Sequence, residues 1–98
     1  MRWVAIFEDR KDSAAVRAVQ TEAHQAFLRA HKGKIRLAGA MRQAPGEAPQ
    51  GGLWVFDAES REEVEAIIAQ DPFFVHGLRA ACRIMAWGTA PGFEDVVL

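Results

Sequence analysis

The chain has 98 residues, enough for one small domain with one core, so residues 1–98 are read as a single unit ending in a linker and tail over 88–98. Half the residues are apolar, which excludes a disordered chain. The formal net charge of -1 comes with no Lys/Arg cluster, which speaks against a nucleic-acid partner.

Trp3 to Phe7 is a run of aromatic and β-branched residues with Ala5, the pattern of a strand. Trp3, Ala5 and Phe7 share one face and Val4 and Ile6 the other, so both faces are expected to be buried. Glu8-Asp9-Arg10-Lys11 interrupts the run at once. It is too short for a signal-peptide core or a membrane span, and a cytoplasmic protein is expected. Ser13 is placed to cap a helix running from Ala14 to about His31. Val16, Val19, Ala23, Phe27 and Ala30 recur at spacings of three and four and form its expected core stripe. Lys32-Gly33-Lys34 ends it, with Gly33 in the left-handed C-terminal position.

Arg17, His24 and His31 are seven apart on this helix, about two turns, and lie on one flank of the stripe. His24 is therefore a boundary residue. It is either a histidine that packs its ring and wets its edge, or a catalytic base that needs a partner elsewhere. A metal shared by His24 and His31 is not expected, since their Cα atoms would be about 10 Å apart.

Ile35 to Met41 reads as a second strand, with Ile35, Leu37, Gly39 and Met41 alternating against Arg36, Ala38 and Ala40. Gly39 marks a close approach to the backbone. Arg36 and Arg42 are either a solvated strand edge or an anchor for an anionic substrate. Gln43 to Gly52, with Pro45-Gly46 and Pro49, is a loop, either a plain connection or a lid or subunit arm. Leu53 to Phe56 is a third strand. Ser60 with Glu63 fits a capping box, and Val64, Ile67 and Ile68 give the buried stripe of the helix that follows. Pro72 ends that helix by Gln70 or Asp71. Asp71-Pro72 then starts a short helix, with Asp71 as cap and Pro72 as first residue, and Phe73, Phe74 and Leu78 pointing inward. The aspartate is either a cap alone or a cap that also reaches a histidine with its second oxygen. Arg79 to Trp87 is the last strand, with Cys82, Ile84 and Ala86 on one face and Met85 and Trp87 on the other. Cys82, the single cysteine, is a core residue and excludes a disulfide or a cysteine metal cluster. The apolar tail Val96-Val97-Leu98 is expected to dock.

The order strand, helix, strand, strand, helix, short helix, strand is a ferredoxin-like βαββαβ layout, an α+β fold with two helices on one face of an antiparallel sheet. Strands apolar on both faces leave one sheet face to be covered, and a second copy meeting it sheet to sheet makes a homodimer.

The chain resembles the YciI-like (YCII-related) proteins, small dimeric α+β barrel proteins of the ferredoxin-like type. The resemblance spans nearly the whole chain. It rests on the first strand, Ala23-His24, Leu37-Ala38-Gly39, Gly52, Asp71-Pro72-Phe73 and Gly77 in that order and spacing. It implies a paired histidine and aspartate, His24 and Asp71, at an active site for a small-molecule ligand. It also implies similarity in fold to muconolactone isomerases, some relatives being linked to dehydrochlorination of chlorinated aromatics. This chain departs at Thr21, where some relatives carry arginine, and at Ala40, often proline. Arg17, one turn from Thr21, is then the alternative anion-binding residue, and Arg17, Gly39 and Phe74 are expected to contact the substrate.

A His–Asp pair supports proton transfer: the carboxylate fixes one ring nitrogen and leaves the other to take or give a proton. No serine or cysteine nucleophile is evident, and nothing points to haem or metal, so a cofactor-free isomerisation or elimination on a small ring compound is expected. The alternatives are a dimeric module that binds a small molecule without chemistry and a purely structural partner domain.

Overall fold

Four strands and three helices are described over residues 1–98 in a computed structural model. They run β1 (Arg2–Asp9), α1 (Ala14–Ala30), β2 (Ile35–Met41), β3 (Gly51–Asp57), α2 (Arg61–Ile68), α3 (Pro72–Val75) and β4 (Arg79–Ala86). The sheet order is β2-β3-β1-β4 and every neighbouring pair is antiparallel. This is the ferredoxin-like α+β arrangement expected from the sequence. No helix is long and apolar enough to cross a membrane.

The helix-covered face of the sheet carries Ala5 and Phe7 from β1 and Trp54 and Phe56 from β3, all buried, with Cys82 and Ile84 of β4 packed beside them. Trp54 is the centre: its ring lies 4.6 Å from Phe7, 5.9 Å from Phe56, 6.1 Å from Phe27 and 5.8 Å from the His24 ring. Truncating such a residue to alanine typically costs about 3–5 kcal/mol. Val64, Ile67 and Ile68 close the core from α2, as expected. The Ser60 hydroxyl caps α2 by accepting from the Glu63 N–H at 3.2 Å, while the Glu63 carboxylate reaches back to the Glu59 N–H at 3.3 Å.

Several local expectations are corrected. Ser13 precedes α1 but does not cap it; its hydroxyl donates to the Arg10 carbonyl at 2.6 Å, and Asp12 takes the left-handed turn conformation at φ 57°. Gly33 is not left-handed. α1 stops at His31, whose Nδ1 bonds the Phe27 carbonyl oxygen at 2.9 Å. In β2 the register shifts between Ile35 and Leu37, so the simple alternation breaks. Ile35 and Ala38, not Leu37, face the core, because the irregularity shifts the residues after Arg36 onto the opposite face from the one alternation gives them. The close approach expected at Gly39 is found on β3: a Cβ at Gly51 would overlap the Phe7 carbonyl, whereas one at Gly39 would meet open space.

The opposite sheet face has no helix. By register it holds the row Leu37, Val55, Val4 and Met85 and the next row Leu53 and Ile6. Leu37, Met41 and Met85 are exposed there. Of the tail, Val97 and Leu98 border a shallow depression with Arg2, Arg36, Val55 and Asp57, while Phe93, Val96 and Val97 stay exposed.

Candidate functional site

α1 does not bury the stripe its apolar residues suggest. Val19 is 75% exposed and Ala23 and Ala30 face solvent, while His24 is the one residue of the helix that is largely buried. The buried side runs through Arg17, His24, Phe27 and Leu28. Alanines gain little by burial. The rotation of α1 follows its large side chains and its two polar attachments to the rest of the fold.

The first attachment is His24 to Asp71. Pro72 fixes the backbone that starts α3, and Asp71 takes the extended N-cap conformation ahead of it. Asp71 is fully buried. Its Oδ1 accepts from the Phe73 N–H at 3.2 Å and lies 2.6 Å from His24 Nδ1. One oxygen thus serves both contacts, where the sequence suggested one each. Oδ2 is sealed in the interior without a partner. An ionised carboxylate only accepts, so Nδ1 carries the proton and Nε2 is the free ring nitrogen. Nε2 has no protein partner and is not among the sealed polar atoms, so it is the ring atom open to an incoming group. The imidazole stacks on Phe73, ring centroids 3.9 Å apart at 15°, which fixes its plane.

The second attachment is Arg17 to Asp9. Arg17 donates to Asp9 Oδ2 through Nη2 at 2.8 Å and Nε at 3.2 Å, and Arg79 Nη1 donates to Asp9 Oδ1 at 2.8 Å. Asp9 at the end of β1 is thus gripped from α1 and β4. The Arg79 side chain is 5% exposed. Burial lowers the pKa of its guanidinium, and the hydrogen bond and charge of Asp9 work against that. Burial also raises the Cys82 thiol, which keeps it protonated and inert.

These groups surround a cavity of about 240 Å³ between α1 and the sheet, lined by Arg17, Thr21, His24, Gly39, Phe73 and Arg79 among others. Of the residues expected at a site, His24, Arg17 and Gly39 line it and Asp71 stands directly behind His24. Phe74 does not: it is 46% exposed, and its neighbour Phe73 is the buried ring at the cavity. In a one-turn helix adjacent side chains point about 100° apart, so only one of the two phenylalanines faces inward. Sequence reasoning missed Arg79 and Asp9, which looked like a strand start and part of a charged turn. Arg36 and Arg42 do not line the cavity. No cluster of three or more His, Cys, Asp or Glu side chains is placed to hold a metal ion.

Known proteins resemble this chain in family and in fold. The YCII-related domain family matches residues 1–88. No curated protein matches the chain. Among solved structures, 5-chloro-2-hydroxyhydroquinone dehydrochlorinase (TftG) from Burkholderia phenoliruptrix AC1100, in complex with 2,5-dihydroxybenzoquinone, is 31% identical with a TM-score of 0.83. The match covers 92% of this chain and 96% of that one. Protein Atu4242 from Agrobacterium tumefaciens is 12% identical with a TM-score of 0.56, over 94% and 96% of the two chains. SnoaB, a cofactor-independent oxygenase from Streptomyces nogalater, is 14% identical with a TM-score of 0.53, over 93% and 95%. The last two share the fold alone.

Proposed function

Since the chain belongs to the YCII-related domain family, we propose that it is a small-molecule enzyme in which His24 transfers a proton on a small ring compound, in an isomerisation or an elimination. The observation that carries this reading is the 2.6 Å contact between buried Asp71 and His24, which leaves Nε2 open beside a cavity. Asp71 sets the tautomer and holds the ring in place. In an elimination, Nε2 takes the proton, the freed electron pair forms the new double bond, and the leaving group departs with its bonding pair. In an isomerisation the same nitrogen returns the proton at another carbon. The cavity is smaller than the roughly 300–1,000 Å³ of pockets for drug-sized ligands, in keeping with a single ring. A dehydrochlorinase of similar structure, bound to a hydroxylated quinone, supports the reaction class.

The test is a screen of chlorinated hydroquinones and lactones for chloride release and isomer formation, with native protein and His24→Ala. Native turnover with a loss of about 10²–10⁴-fold in the variant, at unchanged circular dichroism, is expected. A variant as active as the native protein overturns the reading. Saturable binding with no product makes the chain a binding module instead.

We also propose a homodimer through the open sheet face, where Leu37, Val55, Val4 and Met85 form an apolar row with no helix over it. Light scattering should give twice the 10.8 kDa chain mass. A monomer at micromolar concentration refutes it.

A further inference from the structure

The open polar atoms of the two arginines at the cavity are donors only. Arg17 commits Nε and Nη2 to Asp9, and Nη2 also to the Gly51 carbonyl at 3.4 Å. Arg79 commits Nη1 to Asp9. That leaves Arg17 Nη1 and Arg79 Nη2 without protein partners, and neither is sealed in the interior. The Thr21 hydroxyl adds no donor, because its proton goes to the Arg17 carbonyl. Arg79 Nε is sealed and has no partner. Arg17 engages only Oδ2 of Asp9 and Arg79 only Oδ1, so the carboxylate is satisfied by both guanidiniums and each still keeps one uncommitted terminal nitrogen at the cavity.

Both guanidiniums are also fixed in place. Arg17 lies 5.0 Å and Arg79 5.1 Å from the centroid of Phe73, the ring that stacks on His24, and Arg79 lies 4.4 Å from that of Phe7. Gly52 lies against Arg79: a Cβ there would stand in ordinary contact with Nη2 at 3.5 Å and tightly against the Gly39 carbonyl oxygen at 3.3 Å. Phe73 thus sets the spacing between the imidazole and the two cations, within the reach of one ring.

We infer that Arg79 and Arg17 form an oxyanion-recognition edge, that Asp9 is the positioning residue that holds it, and that the ligand is a planar ring bearing an anionic oxygen, phenolate, enolate or carboxylate. The inference rests on the proton-transfer reading of the same cavity and gives it a substrate class. When His24 takes a ring hydroxyl proton the pair stays on that oxygen, and when it takes a proton from carbon beside a ring carbonyl the pair is delocalised onto the carbonyl oxygen. In both cases negative charge arises on an oxygen that the arginines can face. Donors already aimed at that oxygen stabilise it without reorganising.

The experiment is calorimetric binding of two matched pairs of probes, 4-nitrophenolate against 4-nitroanisole and benzoate against benzamide. Each pair differs in the charged oxygen and keeps the ring. The first pair reports a phenolate-type ligand and the second a carboxylate. The native protein should hold at least one anion about tenfold or more tighter than its neutral twin. Arg79→Gln should erase that preference and leave the neutral probes unchanged. Arg79→Lys keeps a charge but loses the fork, and should retain part of it. Asp9→Asn should weaken anion binding, because the guanidiniums lose their anchor. If added positive charge were all that mattered, Asp9→Asn would tighten it, and that result overturns the positioning role. Equal or absent affinity for anion and neutral twin in the native protein, or full preference in a folded Arg79→Gln, overturns the inference. Turnover and binding are read separately. Anion preference without turnover defeats only the enzyme reading, and His24-dependent turnover untouched by Arg79→Gln defeats only this one.

Discussion

Asp9 and Asp71 are both buried behind the lining of one cavity, yet the surrounding protein treats them differently. Asp9 uses both oxygens, each 2.8 Å from a guanidinium nitrogen. Asp71 shares Oδ1 between His24 and Phe73 and leaves Oδ2 sealed and bare. An unsatisfied buried acceptor costs about 1–3 kcal/mol. A cap alone need not carry that cost: Ser60 caps α2 from a partly exposed position. The difference separates a carboxylate placed to hold the fold together from one held at some expense beside a histidine.

The comparison can be broken most severely at Asp9. Asp9→Ala leaves one buried and one partly buried guanidinium without their counter-charge, and a stability loss of about 3–5 kcal/mol is expected in urea unfolding. Asp71→Ala should cost less, about 2–3 kcal/mol, since it removes a helix cap and leaves the His24 Nδ1 proton unmatched but also removes the bare oxygen. The reverse order would show that Asp71, not Asp9, is the keystone of the fold. Asp71→Asn sharpens the contrast with a smaller effect. The amide oxygen can still accept from both N–H groups, so nitrogen-15 spectra of the His24 ring should keep the proton on Nδ1. A proton found on Nε2 in the native protein would contradict the assigned hydrogen-bond direction. The weakest effect belongs to an exposed pair. Glu63 lies 2.8 Å from Lys34, whose hydrogen bond holds the carboxyl below its ordinary pKa. A lowered folded value gives stability that is present above the unfolded pKa and lost as pH falls through the folded one. The native protein should therefore lose slightly more stability than Glu63→Gln on acidification below about pH 4.5. Parallel curves would show that the pair contributes nothing.

What could be read from the sequence was what depends on neighbours a few residues apart. Asp71-Pro72 announced a cap and a new helix because both effects act within one turn. Ser60 and Glu63 did the same for α2. His24 and Asp71 came together only through the family resemblance, since they lie 47 positions apart. The Asp9–Arg79 contact spans 70 positions, and in sequence Asp9 sits among charges of both signs that all look solvated. The rotation of α1 was misread because periodicity weighs apolar residues alone. Here a histidine and an arginine, each with a buried partner, lie on the inner side. The β2 irregularity lay beyond an alternation rule, since nothing in Ile35-Arg36-Leu37 marks a register shift.

Gly39 has one further consequence. Its backbone lines the cavity from β2, but its register partner is Leu53, so a side chain added there would stand on the open sheet face and meet nothing within 4 Å. The opposite wall has no such latitude, because Asp71, Phe73 and His24 share one oxygen and one stacked pair, and a change to any of them disturbs the others. The cavity therefore has a rigid wall that carries the chemistry, while the edge strand opposite it takes a substitution at Gly39 on the face turned away. A larger apolar residue at Gly39 therefore extends the open sheet face without retuning the imidazole, which makes that position the natural place to alter what the face meets while the cavity keeps its shape.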